Sequence, residues 1–167
     1  MFSGKIVGLI IQFFIPIILV RLFSKAEYGI YLQFLFICNF FSHTVAFSLP
    51  SSIYYFLPKV KENHDKVISQ TFFMHLALIL FFIPIYIIFI NQIISIFHLE
   101  PFPNFIILSI FYISFSSLSL LLNHIFVVEK KSNYVIRYEI LNVLVRLTFI
   151  LIAVFIYKTV IAIIWSL

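Results

Sequence analysis

The chain has 167 residues, of which 63% are hydrophobic and only 10% charged, and its mean hydropathy is +1.17. A water-soluble domain is about half apolar and about a quarter charged, and one of this size has too little interior to hide so much apolar side chain. These figures exclude a soluble domain, and the net charge of +5 lies in short segments between apolar runs, where cations serve membrane topology rather than nucleic-acid binding.

A bilayer-spanning helix needs about 20 apolar residues. Open strands leave backbone groups unpaired in lipid, and these runs are too continuous for a membrane barrel. The first span, residues 6–22, follows Lys5 and contains Gln12 and Pro16. As a secretory signal it would have a weak cleavage site at Ser24-Lys25-Ala26, but its length, the flanking Arg21 and Lys25, and the four spans that follow argue against that role. The second span covers residues 29–49. Pro50 removes a backbone donor there, so the spacing predicts a helix to about Phe47, a kink, and a short amphipathic extension at the membrane surface. Residues 59–66 read as a solvated loop. The third span is 67–90, with a kink expected at Pro84, and residues 91–104 read as irregular. The fourth is 105–128 and the fifth 140–157, with Arg146 inside it. Residues 159–167 read as the start of an incomplete sixth span, so the chain reads as a fragment of a longer protein. The expected fold is all-α: one polytopic transmembrane domain, 1–167, of five helices and part of a sixth.

Lys5, Lys59, Lys61, Lys66, Lys130, Lys131 and Arg137 fall on one side of this topology, and Arg21, Lys25 and Lys158 on the other. The positive-inside rule then places the N-terminus in the cytoplasm of a multi-pass inner-membrane protein.

Polar residues inside spans mark packing seams or cavities. Ser109, Tyr112, Ser116, Ser119 and Asn123 recur at intervals of three and four, which puts them on one face of the fourth helix. Asn39, Ser42, His43 and Ala46 form a smaller face on the second, and His75 lies one turn after Thr71 on the third. Glu139, Asn142, Arg146, Ala153 and Tyr157 share a face of the fifth. Arg146 sits about 9 Å inside the membrane for a helix starting near Ile140. It either snorkels to the headgroups or faces a cavity, where its guanidinium suits phosphate oxygens. The five histidines never take the i, i+4 spacing of a helical zinc pair, so no metal or cofactor is expected. No nucleophile motif or Gly-rich phosphate loop is present, which argues against an enzyme, and the lone Cys38 allows no internal disulfide.

The segment Leu-Val-Arg-Leu-Phe-Ser-Lys-Ala-Glu-Tyr-Gly-Ile-Tyr at residues 19–31, together with Phe56-Leu57-Pro58 and the basic loop after it, resembles the corresponding parts of polysaccharide flippases. These are the O-antigen (Wzx-type) transporters of the multidrug/oligosaccharidyl-lipid/polysaccharide exporter superfamily. The resemblance implies a two-lobe transporter of twelve to fourteen helices, with this chain as a partial N-terminal lobe lacking its C-terminal lobe. It implies a polyprenyl-pyrophosphate-linked oligosaccharide as cargo, flipped across the cytoplasmic membrane by alternating access. It makes Arg146 and, secondarily, Arg21 candidates for holding the pyrophosphate, with Asn142, Ser116 and Asn123 as polar lining. Two alternatives stand beside it. A multidrug/cation antiporter of the same superfamily would carry an acidic residue inside its first-lobe helices, and none is found there. A small membrane scaffold protein would transport nothing.

Overall fold

The computed structural model describes residue 13, residues 16–60, 63–97 and 104–129, and scattered positions between 134 and 148. Every regular element among them is helical. Two compact units divide the chain, one of Met1–Phe34 with Ser132–Leu167 and one of Leu35–Lys131.

In the first unit, residues 16–22 are helical and Phe23 bends the chain. Helix α1 (Lys25–Ala46) then begins, four residues before the predicted start at 29. The cause is a reciprocal cap. The Ser24 hydroxyl and backbone N–H both donate to the Glu27 carboxylate, at 2.8 and 3.0 Å. The Glu27 N–H donates back to the Ser24 hydroxyl at 3.3 Å. This Ser-x-x-Glu box satisfies donors that a helix start leaves open. Gly29 therefore lies inside α1 rather than at its start.

Phe47 and Ser48 follow α1 with positive φ, 43° and 57°. Two successive left-handed residues reverse the helical hand and end it. Helix α2 (Leu49–Phe56) starts at once, with Pro50 in its first turn, where a missing N–H costs nothing. A 3₁₀ turn, Leu57–Lys59, completes it. The break lies where Pro50 predicted one, but α2 does not simply rest on a membrane surface. Its Ile53 and the following Leu57 are buried against Leu121 and Ile125, with Val67, Ile68 and Val128 around them.

Helix α3 (His64–Ile96) contains Pro84 without ending there. It is longer at both ends than the predicted 67–90. His64, Asp65 and Lys66 form its first turn rather than a loop, with Asp65 placed favourably for the helix dipole. At the far end Asn91 and Gln92 stay helical because no Gly or Pro follows until Pro101. Its 33 residues reach about 50 Å, beyond a hydrocarbon core of ~30 Å, so its polar ends stand at headgroup level. Helix α4 (Phe105–Val128) runs antiparallel to α3: the start of α3 packs beside the end of α4.

Three described helices, α1, α3 and α4, are long and apolar enough to cross a membrane, which points to a membrane location. The expected sixth span at 159–167 and most of 140–157 and of 6–22 lie outside the described residues, so three of the five spans are seen in full. Large apolar side chains face outward, among them Phe40, Phe73, Phe81, Phe111 and Phe115, while Ser42, His75, Ser109 and Ser117 are buried. That inversion suits a lipid solvent, in which small polar residues let helices approach. At the Lys66 end, Tyr54, Tyr55 and Phe56 are exposed, and the Lys59 ammonium lies 3.3 Å from the centre of the Tyr55 ring. Aromatic rings beside a lysine are typical of the membrane–water interface.

The capping box and the left-handed pair generate one paired test by chemical unfolding in detergent. Ser24→Ala lowers stability by about 1 kcal/mol. Ser48→Gly raises it by about 0.5 kcal/mol, because relief of the left-handed strain exceeds the added freedom of the unfolded chain.

Candidate functional site

The polar groups of unit Leu35–Lys131 converge where α1, α3 and α4 meet. The buried row on α4 is Phe105, Ser109, Ile113, Ser117, Leu121 and Ile125, one residue in every four. The predicted face shares only Ser109 with it. Tyr112, Ser116, Ser119 and Asn123 are half-buried flanks. A row of fourth residues is the ridge along which helices interdigitate, and it passes through Ser117 rather than its neighbour Ser116. The spacing Ser109-x₃-Ile113-x₃-Ser117-x₃-Leu121 carried this signal.

The facing stripe of α3 is His75, Ile79, Tyr86 and Ile90. His75 is fully buried and faces the Ser117 backbone, yet both ring nitrogens lack a partner at hydrogen-bond geometry. Tyr86 repeats the arrangement nearer the other end. Its hydroxyl faces Ser109 but is likewise unpaired at bonding geometry. Each bulky polar side chain of α3 thus meets a small serine of α4.

On the part of α1 within this unit the buried residues are Ile37, Cys38, Ser42, Val45 and Ala46. The Ser42 hydroxyl donates to the Cys38 carbonyl at 2.7 Å and lies 3.5 Å from the Ile113 carbonyl of α4. Asn39 and His43, grouped with Ser42 by spacing, are exposed instead. Asn39 accepts from the Tyr112 hydroxyl at 3.3 Å. The Phe41 and Tyr86 rings meet edge to face, 4.9 Å apart. The gap beside them, lined by Ile79, Ile83, Ile110 and Ile113 among others, has a free volume of ≈ 10 Å³. That is the lower limit for a single water, so no ligand fits in this gap.

Most buried or half-buried hydroxyls bond within their own helix. Thr71 donates to Val67, Ser109 to Ile106, Ser114 to Ile110 and Ser117 to Ser114, all at 2.8–2.9 Å. These serines act here as small side chains whose polarity is already satisfied.

Of the residues proposed from sequence, Arg21 is exposed at the end of helical residues 16–22. Ser116 and Asn123 lie half-buried on α4, and the Asn123 side-chain oxygen is buried without a partner. Arg146 and Asn142 lie outside the described residues. No group of three or more metal-ligating side chains occurs among the described residues. No family model, no curated protein and no solved structure matches the chain.

Ser117 separates a packing role from a binding role. Ser117→Ala is expected to change stability by less than ~0.5 kcal/mol, because the lost bond is internal to α4. Ser117→Leu overpacks the contact with His75 and costs about 1–3 kcal/mol. Thermal unfolding in lipid nanodiscs measures both.

Proposed function

We propose that the chain is the first-lobe portion of a polysaccharide-export membrane protein, one that flips a polyprenyl-pyrophosphate-linked oligosaccharide across the cytoplasmic membrane. The observation that carries the reading is the turn at residues 19–31. There Leu-x-Arg closes one helical segment and a Ser-led charged turn leads into the next, as the flippase resemblance implies, while the Tyr28-Gly29 pair that the resemblance sets at the helix start lies within the first turns of α1. Three apolar helices with hydroxyl-lined contacts support the class.

In this reading the N-terminus and the Lys59–Lys66 end of the unit face the cytoplasm. Arg146 binds the pyrophosphate, and Arg21, Asn142, Ser116 and Asn123 line the path. A guanidinium offers two parallel bonds to phosphate oxygens, and in a low-dielectric cavity that attraction is strong. A second lobe completes the enclosure, since alternating access needs one lobe to rock against another. A cation-coupled multidrug antiporter is disfavoured. In Leu35–Lys131 the described carboxylates, Asp65 and Glu129, stand at helix ends, not in mid-span where a coupling ion binds.

Two measurements test this. In the full-length protein Arg146→Ala abolishes glycan export and leaves membrane insertion intact; undiminished export returns Arg146 to a snorkelling role. For topology, Cys38 is buried and gives little labelling background. A cysteine at Lys66 is then labelled by an impermeant thiol reagent only from the cytoplasmic face, and one at Asn104 only from the outside.

A further inference from the structure

Packing against Ser117 accounts for the bulk of His75 but not for its two unpaired ring nitrogens, and the export reading does not use them. His75 lies within about 5 Å of the middle of the apolar stretch 67–90, with no exposed surface. An ionisable residue at that depth is expensive and faces the interior of a bundle or a cavity. Here it faces the Ser117 backbone.

Neither protonation state is at ease in that contact. A neutral imidazole has one donor and one acceptor, and both nitrogens are unpaired. Among the described residues an imidazolium has no counter-charge to meet. On α4 Ser117 faces this contact, with Ser109 about two turns before it and His124 two turns after, held by the Leu120 carbonyl at 2.7 Å and tilted against the Tyr54 ring. The other buried polar groups of the unit are Ser42 and Cys38 on α1 and Tyr86 on α3. The described charges of the unit, Lys59, Asp65, Lys66 and Glu129, all stand at helix ends. Separation of α3 from α4 would let water reach the ring and satisfy either state, and would favour the charged one most. A proton therefore binds the parted arrangement better than the closed one, and such a difference in affinity shifts the equilibrium between them. Pro84, between His75 and Tyr86, removes the N–H that would pair with the Leu80 carbonyl. It supplies a point about which the His75 half of α3 can bend.

We propose that His75 is a proton-binding latch: neutral while α3 is closed on Ser117, and protonated when that half of α3 parts from α4. The ring nitrogen takes the proton from hydronium on its lone pair and leaves water. The inference does not depend on which cargo, if any, the protein moves.

The test uses the full chain in lipid nanodiscs. Deuterium exchange at the imidazole C2 position, read by mass spectrometry between about pH 5 and 8, reports solvent access and protonation for each histidine. His75 is expected to exchange with a sigmoidal pH profile, roughly tenfold or more slowly than the exposed His64 because it must wait for opening. No exchange at His75 after His64 has exchanged fully would overturn the proposal. Separately, Ser117→Cys in a Cys38→Ala background is labelled with a membrane-permeant thiol reagent, with and without His75→Phe. The labelling rate with His75 present, divided by the rate in the His75→Phe variant, which has no titrating ring there, rises several-fold as pH falls. A ratio that stays flat with pH refutes the latch. Should the cysteine variant fail to fold, the exchange profile decides alone.

Discussion

The close approach of α3 to α4 is the constraint on which unit Leu35–Lys131 depends. In water, burial of Phe and Ile would drive the helices together. In lipid that drive is lost, because the acyl chains are as apolar as the side chains, and association rests on how well two surfaces fit. Ser109 and Ser117 provide the fit. They are small enough for Tyr86 and His75 to press against them. Ile113 and Leu121 fill the intervals, and Ser42 brings α1 to the same place. The numerous phenylalanines stay outside, where they meet lipid.

The left-handed pair Phe47–Ser48 matters for the same reason. Without it α1 would continue straight past the bundle. With it α2 restarts in a new direction and sets Ile53 and Leu57 over the end of α4 and the start of α3. The strain at these two residues is offset by that apolar cluster, which closes the end of the unit carrying Lys59 and Lys66. The other end relies on narrower contacts, such as the Phe36 ring against Phe97, 6.2 Å apart.

Much of this was legible in the residues. Continuous apolar length marked the spans, and Pro50 marked the break. Span ends were less legible, because lipid-facing composition says nothing about caps. The Ser24–Glu27 box extends α1 by a turn into charged sequence that hydropathy reads as loop, and α3 runs past Asn91 because polarity alone does not stop a helix. The inner face of α4 was misplaced because intervals of three and four gather polar residues, whereas packing follows every fourth residue and tolerates Ile and Leu between serines. His75 showed no partner in the sequence because its neighbour, Ser117, is brought to it only by the antiparallel pairing. The role given to Arg146 and Asn142 rests on sequence alone.

The hydroxyls that bond within their own helices bear on how the protein is made. A serine already paired to a carbonyl three or four residues back adds little to the cost of placing its helix alone in lipid. By this measure α4 is the less costly of the two to place alone: among the described residues its buried unpaired atom is the Asn123 oxygen, whereas α3 carries both His75 ring nitrogens and the Tyr86 hydroxyl. The least costly order of biogenesis therefore holds α3 at the insertion machinery until α4 emerges, and releases the two as a hairpin.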